Sequence, residues 1–232
     1  ADIKFYQAST SEMFGKAVEV PQTEKTPLYP RNPYGIAKVF GHLCAINYRE
    51  TYNMFISSGI LYNHESPLRG IEFVTRKITN GVASIKYGLQ DRLTLGDLDA
   101  KRDWGYAQEY VEGMWMMLNN ETPDTYILAT GKTYSVKEFT EYAFRHAGYD
   151  IVWEGSGVNE KGKDKKTGKI LVEVSPEFYR PSEASLLTGN PEKAKKILGW
   201  EAKFKFEDLI NLMIEEDMKF LSSSRKIITD LK

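Results

Sequence analysis

The sequence predicts an α/β protein: part of a doubly wound parallel sheet, followed by a smaller mixed α/β lobe. Two strand patterns flanking one helix carry the first half of that reading. Residues 3–9, IKFYQAS, read as a buried strand; Asn32 and Pro33 open a helix running to about residue 52; residues 55–61 read as a second buried strand. Strand, helix, strand is the unit from which parallel doubly wound sheets are assembled. The looser succession of helices and short strands beyond Pro67 carries the second half.

Each element has a local reason. The first strand gives way to a loop punctuated by Pro21, Pro27 and Pro30, which cannot continue a ladder or a helix. Asn32 is a good helix cap and Pro33 suits the first helical position, where its missing N–H is not needed. Further helices are expected near residues 74–86, 107–118, 136–146 and 206–220. Residues 155–169 are rich in Gly and Lys with hardly any apolar side chain, so a mobile surface loop is expected there. The domains are expected as 1–70, belonging to the sheet, and 71–232, mainly a ligand-binding lobe with some segments returning to the first domain. No internal repeat is present.

The chain has 232 residues, enough for one core or one core and a small second lobe. Its 41% hydrophobic and 27% charged residues are the mix of an ordinary globular protein. A formal net charge of -1 argues against nucleic-acid binding by bulk charge, yet two or three cations suffice for a small anion. The single cysteine, Cys44, excludes an intrachain disulfide and is expected as a small buried hydrophobe. Neither a long apolar run nor a basic-then-apolar leader occurs, so a cytoplasmic protein without a membrane partner is expected.

Tyr34 and Lys38 are four apart in the helix opened by Asn32, so they share one face, a turn apart. A neighbouring ammonium favours a phenolate, and such a pair is a competent base for an alcohol undergoing oxidation by hydride transfer. Any helix can place these two residues by chance, so the pair alone is a weak signal. At the end of the first strand stands Ser9-Thr10-Ser11-Glu12, at the carboxyl edge where doubly wound sheets bind ligands, although the same residues also suit a turn or helix cap.

QASTSEMFG, the proline-rich loop and RNPYGIAK together resemble the extended short-chain dehydrogenase/reductases, enzymes with a Rossmann-type sheet that act on nucleotide sugars. GILYNHESPLRG, FVTRKI, LGDLDAKRDWG and YRPSE extend the resemblance, in order, to the GDP-mannose 4,6-dehydratase family, from Phe5 to about Met218. Ser11-Glu12 stands where dTDP-glucose 4,6-dehydratases carry Asp-Glu and where simple epimerases usually lack the acid. The resemblance implies oxidation of GDP-mannose at carbon 4, loss of water across carbons 5 and 6, and re-reduction at carbon 6 with NADP. It implies a catalytic set of Thr10, Glu12, Tyr34 and Lys38, with Tyr34, Lys38, His64 and Arg69 on NADP. Ser11, Asn63, Val74, Lys77, Arg102, Arg180 and Glu183 are implied on the GDP-sugar, and a homodimer or homotetramer as the assembly. Taken singly, each charged residue reads as a solvated surface group, and His64 as a hydrogen-bonded loop histidine. The four tryptophans read as core.

One absence shapes the expectation. No G-x-G-x-x-G or G-x-x-G-x-x-G spacing occurs, whereas dinucleotide folds bring backbone amides to the pyrophosphate through such a turn. The sequence is therefore expected to begin partway through the fold. On that view it keeps weak affinity for GDP through Lys77, Arg102 and Arg180, binds NADP little, self-associates, and turns over only with the preceding segment supplied. A related nucleotide-sugar epimerase or reductase, and a non-catalytic fragment that binds GDP or a partner chain, stay open.

Overall fold

A computed structural model of the chain describes residues 3–179 and 186–230, with side chains through Ser223. In chain order the elements are β1 (Phe5–Thr10), α1 (Pro33–Tyr52), β2 (Ile56–Leu61), β3 (Asn63–Glu65), α2 (Val74–Lys86), β4 (Leu93–Leu95), β5 (Lys101–Arg102), β6 (Trp104–Tyr106), α3 (Ala107–Asn119), β7 (Thr125–Leu128), β8 (Tyr134–Ser135), α4 (Val136–His146), β9 (Ile151–Glu154), β10 (Lys161–Asp164), β11 (Ile170–Val174), α5 (Glu192–Leu198) and α6 (Phe206–Asp230). They fall into two compact units. The first takes residues 3–64, 101–133 and 186–204; the second takes 65–100, 134–179 and 205–230.

The first unit is built on a parallel sheet in the order β1-β2-β7, with Phe5 opposite Ile56, Thr10 opposite Leu61 and Leu61 opposite Leu128. Every residue of the central strand β2 is buried. Side chains alternate across a strand, and here the alternation divides two cores. Ile60 and Tyr62 join Ile127, Ala129, Met13 and Phe14, against which Val39 of α1 packs. Leu61 joins Tyr126, Leu128, Tyr110, Met117 and Trp200 on the other face. A sheet buried on both faces is what parallel strands require. Gly59 is needed for this packing: a Cβ there would lie 2.4 Å from the Tyr6 hydroxyl, which reaches across from β1.

β1 departs from the expected buried strand, since Phe5 is 50% exposed and Ala8 is also exposed, while Ser9 is buried. Helix α1 starts as its sequence dictates. The Asn32 side chain accepts a hydrogen bond from the Gly35 amide at 2.7 Å, Pro33 fills the first turn, and Asn53 ends the helix in the left-handed region at φ 51°. Cys44 is only half-buried, correcting the expectation of a fully buried hydrophobe.

The second unit carries a four-stranded sheet in the order β4-β11-β10-β9, with β4 and β11 parallel and the other two pairs antiparallel. Helices α2, α4 and α6 pack on one another. Ser135 and Glu138 close a reciprocal capping box at the start of α4. Residues 155–169, expected as a mobile loop, instead supply β10 and the turn into β11. The Asp164 carboxylate organises that turn by accepting from the Thr167 amide at 3.1 Å and its hydroxyl at 2.6 Å. Gly162 leaves room for Ile151, Trp153 and Val172, each about where a Cβ would touch. The composition concealed the strand because its apolar cover comes from neighbouring strands. Among the described residues no helix is long and apolar enough to cross a membrane.

Candidate active site

In the first unit the carboxyl end of β1 runs into a single 3-10 turn, Ser11–Met13, anchored by the fully buried Met13 and Phe14. Thr10 caps this turn, its hydroxyl accepting from the Glu12 amide at 3.3 Å. Ser11 is buried within it. The Glu12 side chain is held from the next element: Asn32 donates Nδ2–H to its Oε2 at 2.9 Å. Asn32 therefore uses both ends of one amide, its oxygen capping α1 and its nitrogen holding the carboxylate. Gly35 lets the first turn of α1 sit directly on the 3-10 turn, because a Cβ there would lie 2.8 Å from the Glu12 carbonyl oxygen.

The same helix start presents Tyr34, 55% exposed, with the Lys38 ammonium 5.6 Å from its ring centroid. Lys38 also donates to the Ala8 carbonyl at 3.1 Å, which ties the lysine to β1. One turn further, His42 is buried and shares a 2.8 Å hydrogen bond between its Nδ1 and the Ser9 hydroxyl. Burial, with the nearby Arg49 charge, pulls the His42 pKa down to about 4. Thr10, Ser11, Glu12, Tyr34 and Lys38 thus occupy one sheet edge and one helix start. A phenol, an ammonium and a carboxylate are there together, the groups that acid/base chemistry on a hydroxylated carbon skeleton requires.

The other expected residues are placed individually. His64 directs Nδ1 at the Tyr62 carbonyl at 2.9 Å and stacks on Tyr110 with centroids 5.1 Å apart. A carbonyl only accepts, so that nitrogen carries a proton. Asn63, its neighbour in β3, is half-buried. Arg102 donates Nη1 to the Lys101 carbonyl at 2.7 Å. In the second unit Val74 begins α2, and Lys77 lies one turn on with its ammonium 4.2 Å from the Phe178 ring centroid. Lys77, Ile71, Asn80, Gln90 and Thr94 line a pocket of about 240 Å³. Arg69 is fixed by Glu65 and Phe73. Arg180 and Glu183 lie outside the described residues. Among the described residues no group of three acidic, histidine or cysteine side chains forms a metal site.

Sequence reasoning missed the supporting residues. Asn32 was legible as a cap but not as the partner of Glu12, twenty residues away. Asp103, fully buried, accepts from the Thr130 and Gly131 amides at 2.9 and 3.0 Å and from the Gly189 amide at 3.3 Å. Nothing local in the sequence points to those donors.

The model of the family described as GDP-mannose 4,6 dehydratase matches residues 1–213. The chain belongs to the GDP-mannose 4,6-dehydratase family. It is 52% identical to GDP-mannose 4,6 dehydratase 2 of Caenorhabditis elegans, over 95% of this chain and 58% of that protein. Against GDP-mannose 4,6-dehydratase of Sinorhizobium fredii it is 52% identical over 96% of this chain and 64% of the other. For the Homo sapiens enzyme the figures are 50%, 96% and 60%. The chain therefore spans about three fifths of the length of these curated GDP-mannose 4,6-dehydratase relatives. Among solved structures, RMD from Pseudomonas aeruginosa complexed with NADPH superposes with a TM-score of 0.79 at 19% identity, covering 94% of this chain and 68% of that one. A dTDP-glucose 4,6-dehydratase from Bacillus anthracis in complex with NAD gives 0.76 at 23% identity, covering 94% and 62%. These likenesses establish the fold of this family member as the one shared with nucleotide-sugar enzymes.

Proposed function

We propose that the protein carrying this chain converts GDP-D-mannose to GDP-4-keto-6-deoxy-D-mannose, with NADP as its recycled cofactor. The observation that carries the reading is the joint placement of Glu12, Tyr34 and Lys38: Asn32 ties the carboxylate to the helix start that presents the phenol and the ammonium. Half-identical relatives named as GDP-mannose 4,6-dehydratases support the substrate. The donor set also fits a nicotinamide dinucleotide, since Lys38 offers N–H donors suited to a ribose and Arg69 a planar fork suited to a phosphate.

The bound nicotinamide supplies the hydride acceptor at carbon 4 and the hydride donor at carbon 6. Tyr34 takes the proton of the carbon 4 hydroxyl, and the Lys38 ammonium stabilises the charge on the phenol oxygen while Thr10 hydrogen-bonds the reacting oxygen. The resulting ketone acidifies the proton on carbon 5, which Glu12 removes. That proton is the one the carbon 6 hydroxyl needs to leave as water, so one carboxyl group serves both sides of the elimination. The carbon 5–carbon 6 double bond is then reduced, with a proton returned to carbon 5.

On the ligand side, His64 joins Arg69 in holding the cofactor. Ser11, Asn63, Val74, Lys77, Arg102, Arg180 and Glu183 hold the GDP-sugar, with arginine forks on the diphosphate. Incubation with GDP-mannose and mass analysis of the nucleotide sugar tests the reading. A product lighter by one water supports it; an isomer of unchanged mass identifies an epimerase instead.

A further inference from the structure

Around the loop joining β3 to α2, one arginine is held at its Nε end and on one face. We propose that Glu65 is a positioning residue whose buried carboxylate, with the Phe73 ring, aims the Arg69 guanidinium at a phosphate of the nicotinamide cofactor. The proposal rests on the cofactor reading above and adds a residue to it.

Glu65 ends β3 and is 2% exposed, an expensive place for a carboxylate without partners. Burial raises its pKa, while two partners pull the other way: the Thr75 hydroxyl, donating to Oε2 at 2.7 Å, and the Arg69 guanidinium, with Nε 3.3 Å from the same oxygen. Thr75 lies in the first turn of α2, so the carboxylate is held from the helix as well as by Arg69. On the arginine's face, the Phe73 ring centroid lies 3.6 Å from the guanidinium carbon.

The backbone beneath Arg69 is fixed separately. Arg76 donates Nη1 to the carbonyls of Pro67 and Arg69, and its Nη2 is bound to Asp217 at 2.6 Å. Thr79 donates to the other oxygen of Asp217 at 2.7 Å, which holds that anchor. One arginine of the pair is thus consumed by structure and holds the loop. The other is restrained at its Nε end and on one face, while among the described residues no partner takes Nη1 or Nη2. These are the two donors that form parallel hydrogen bonds to a phosphate, and a fork already restrained loses little freedom on binding one.

The test uses protein expressed from the complete gene, titrated with NADPH by fluorescence and with GDP by calorimetry. Arg69→Ala and Glu65→Gln are each expected to weaken NADPH binding roughly tenfold, the scale of one lost charge-assisted hydrogen bond, while GDP affinity stays unchanged. The double variant should be no weaker than Arg69→Ala alone, because Glu65 acts through that arginine. Wild-type NADPH affinity in Glu65→Gln overturns the proposal, as does an additive double variant or an equal loss for GDP. Should Glu65→Gln fail to fold, Phe73→Leu serves, since Phe73 is 43% exposed and its ring can be lost without orphaning a buried polar group. A roughly threefold weaker NADPH affinity is expected there, and no change refutes the aiming role. Wild-type protein that binds no NADPH at all defeats the cofactor reading itself, whereas an unaffected Arg69→Ala defeats this inference and removes Arg69 from the residues that hold NADP, leaving NADP as the cofactor.

Discussion

Acidification should loosen the contact that seats α1 on β1, and His42 is where it begins. This side chain is 4% exposed, bonded to Ser9, and carries a pKa lowered from 6.5 to about 4. The unfolded chain therefore takes up a proton between those two values that the folded chain refuses. Stability from this group is fully present above pH 6.5 and is lost as pH falls toward 4. Linkage over that interval gives a loss of about 2 kcal/mol by pH 5 and about 3 kcal/mol by pH 4. Buried Glu65 and Asp103, whose pKa values are raised by burial, contribute with the opposite sign. The assay is therefore a difference: urea unfolding of wild type and His42→Gln at pH 7, 6, 5 and 4. The variant should be less stable at neutral pH and should lose less on acidification, so the two curves converge. Parallel curves across the whole interval would show that His42 titrates normally and that its burial is not what the packing implies.

Tyr34→Phe and Lys38→Ala should each cut turnover by roughly 10²–10⁴-fold, as removal of a positioned acid/base group does; near-normal product formation in either removes the proposed oxidation step. Glu12→Gln should still oxidise carbon 4 yet stall before elimination, so a reduced-nicotinamide absorbance should build up without product. Normal product formation there leaves Glu12 as only a part of the turn. Gly59→Ala should destabilise the first unit by about 1–3 kcal/mol, because its methyl would lie 2.4 Å from the Tyr6 hydroxyl and force that ring to shift. Thermal unfolding reads that loss, and an unchanged midpoint would mean that Tyr6 moves freely.

What the sequence disclosed depended on how local each signal was. Asn32, Pro33 and Asn53 bracket α1 within the chain itself, so the helix carrying Tyr34 and Lys38 was legible with its spacing. The second unit's helices at Val74–Lys86 and Val136–His146 were legible from their own residue pattern, α2 even though no side chain caps it. The hairpin formed by β10 and β11 was not, because its Lys-rich strand borrows apolar cover from Ile151, Trp153 and Val172. Nor did the exposure of Phe5 follow from its pattern, since strand hydrophobicity does not say which faces are covered. The supporting polar residues were hidden for a third reason. Asp103 finds its donors at residues 130, 131 and 189, and Arg76 its acceptor at 217, distances along the chain that only folding closes.

The most direct measurement follows one hydrogen. GDP-mannose carrying deuterium at carbon 4 is converted by protein expressed from the complete gene, and the product is analysed by NMR. If Tyr34, Lys38 and Glu12 act as described, the deuterium leaves carbon 4 and reappears at carbon 6 of a 4-keto-6-deoxy sugar within the same molecule. Deuterium returned to carbon 4, or a carbon 6 that still bears its hydroxyl, would contradict that chemistry.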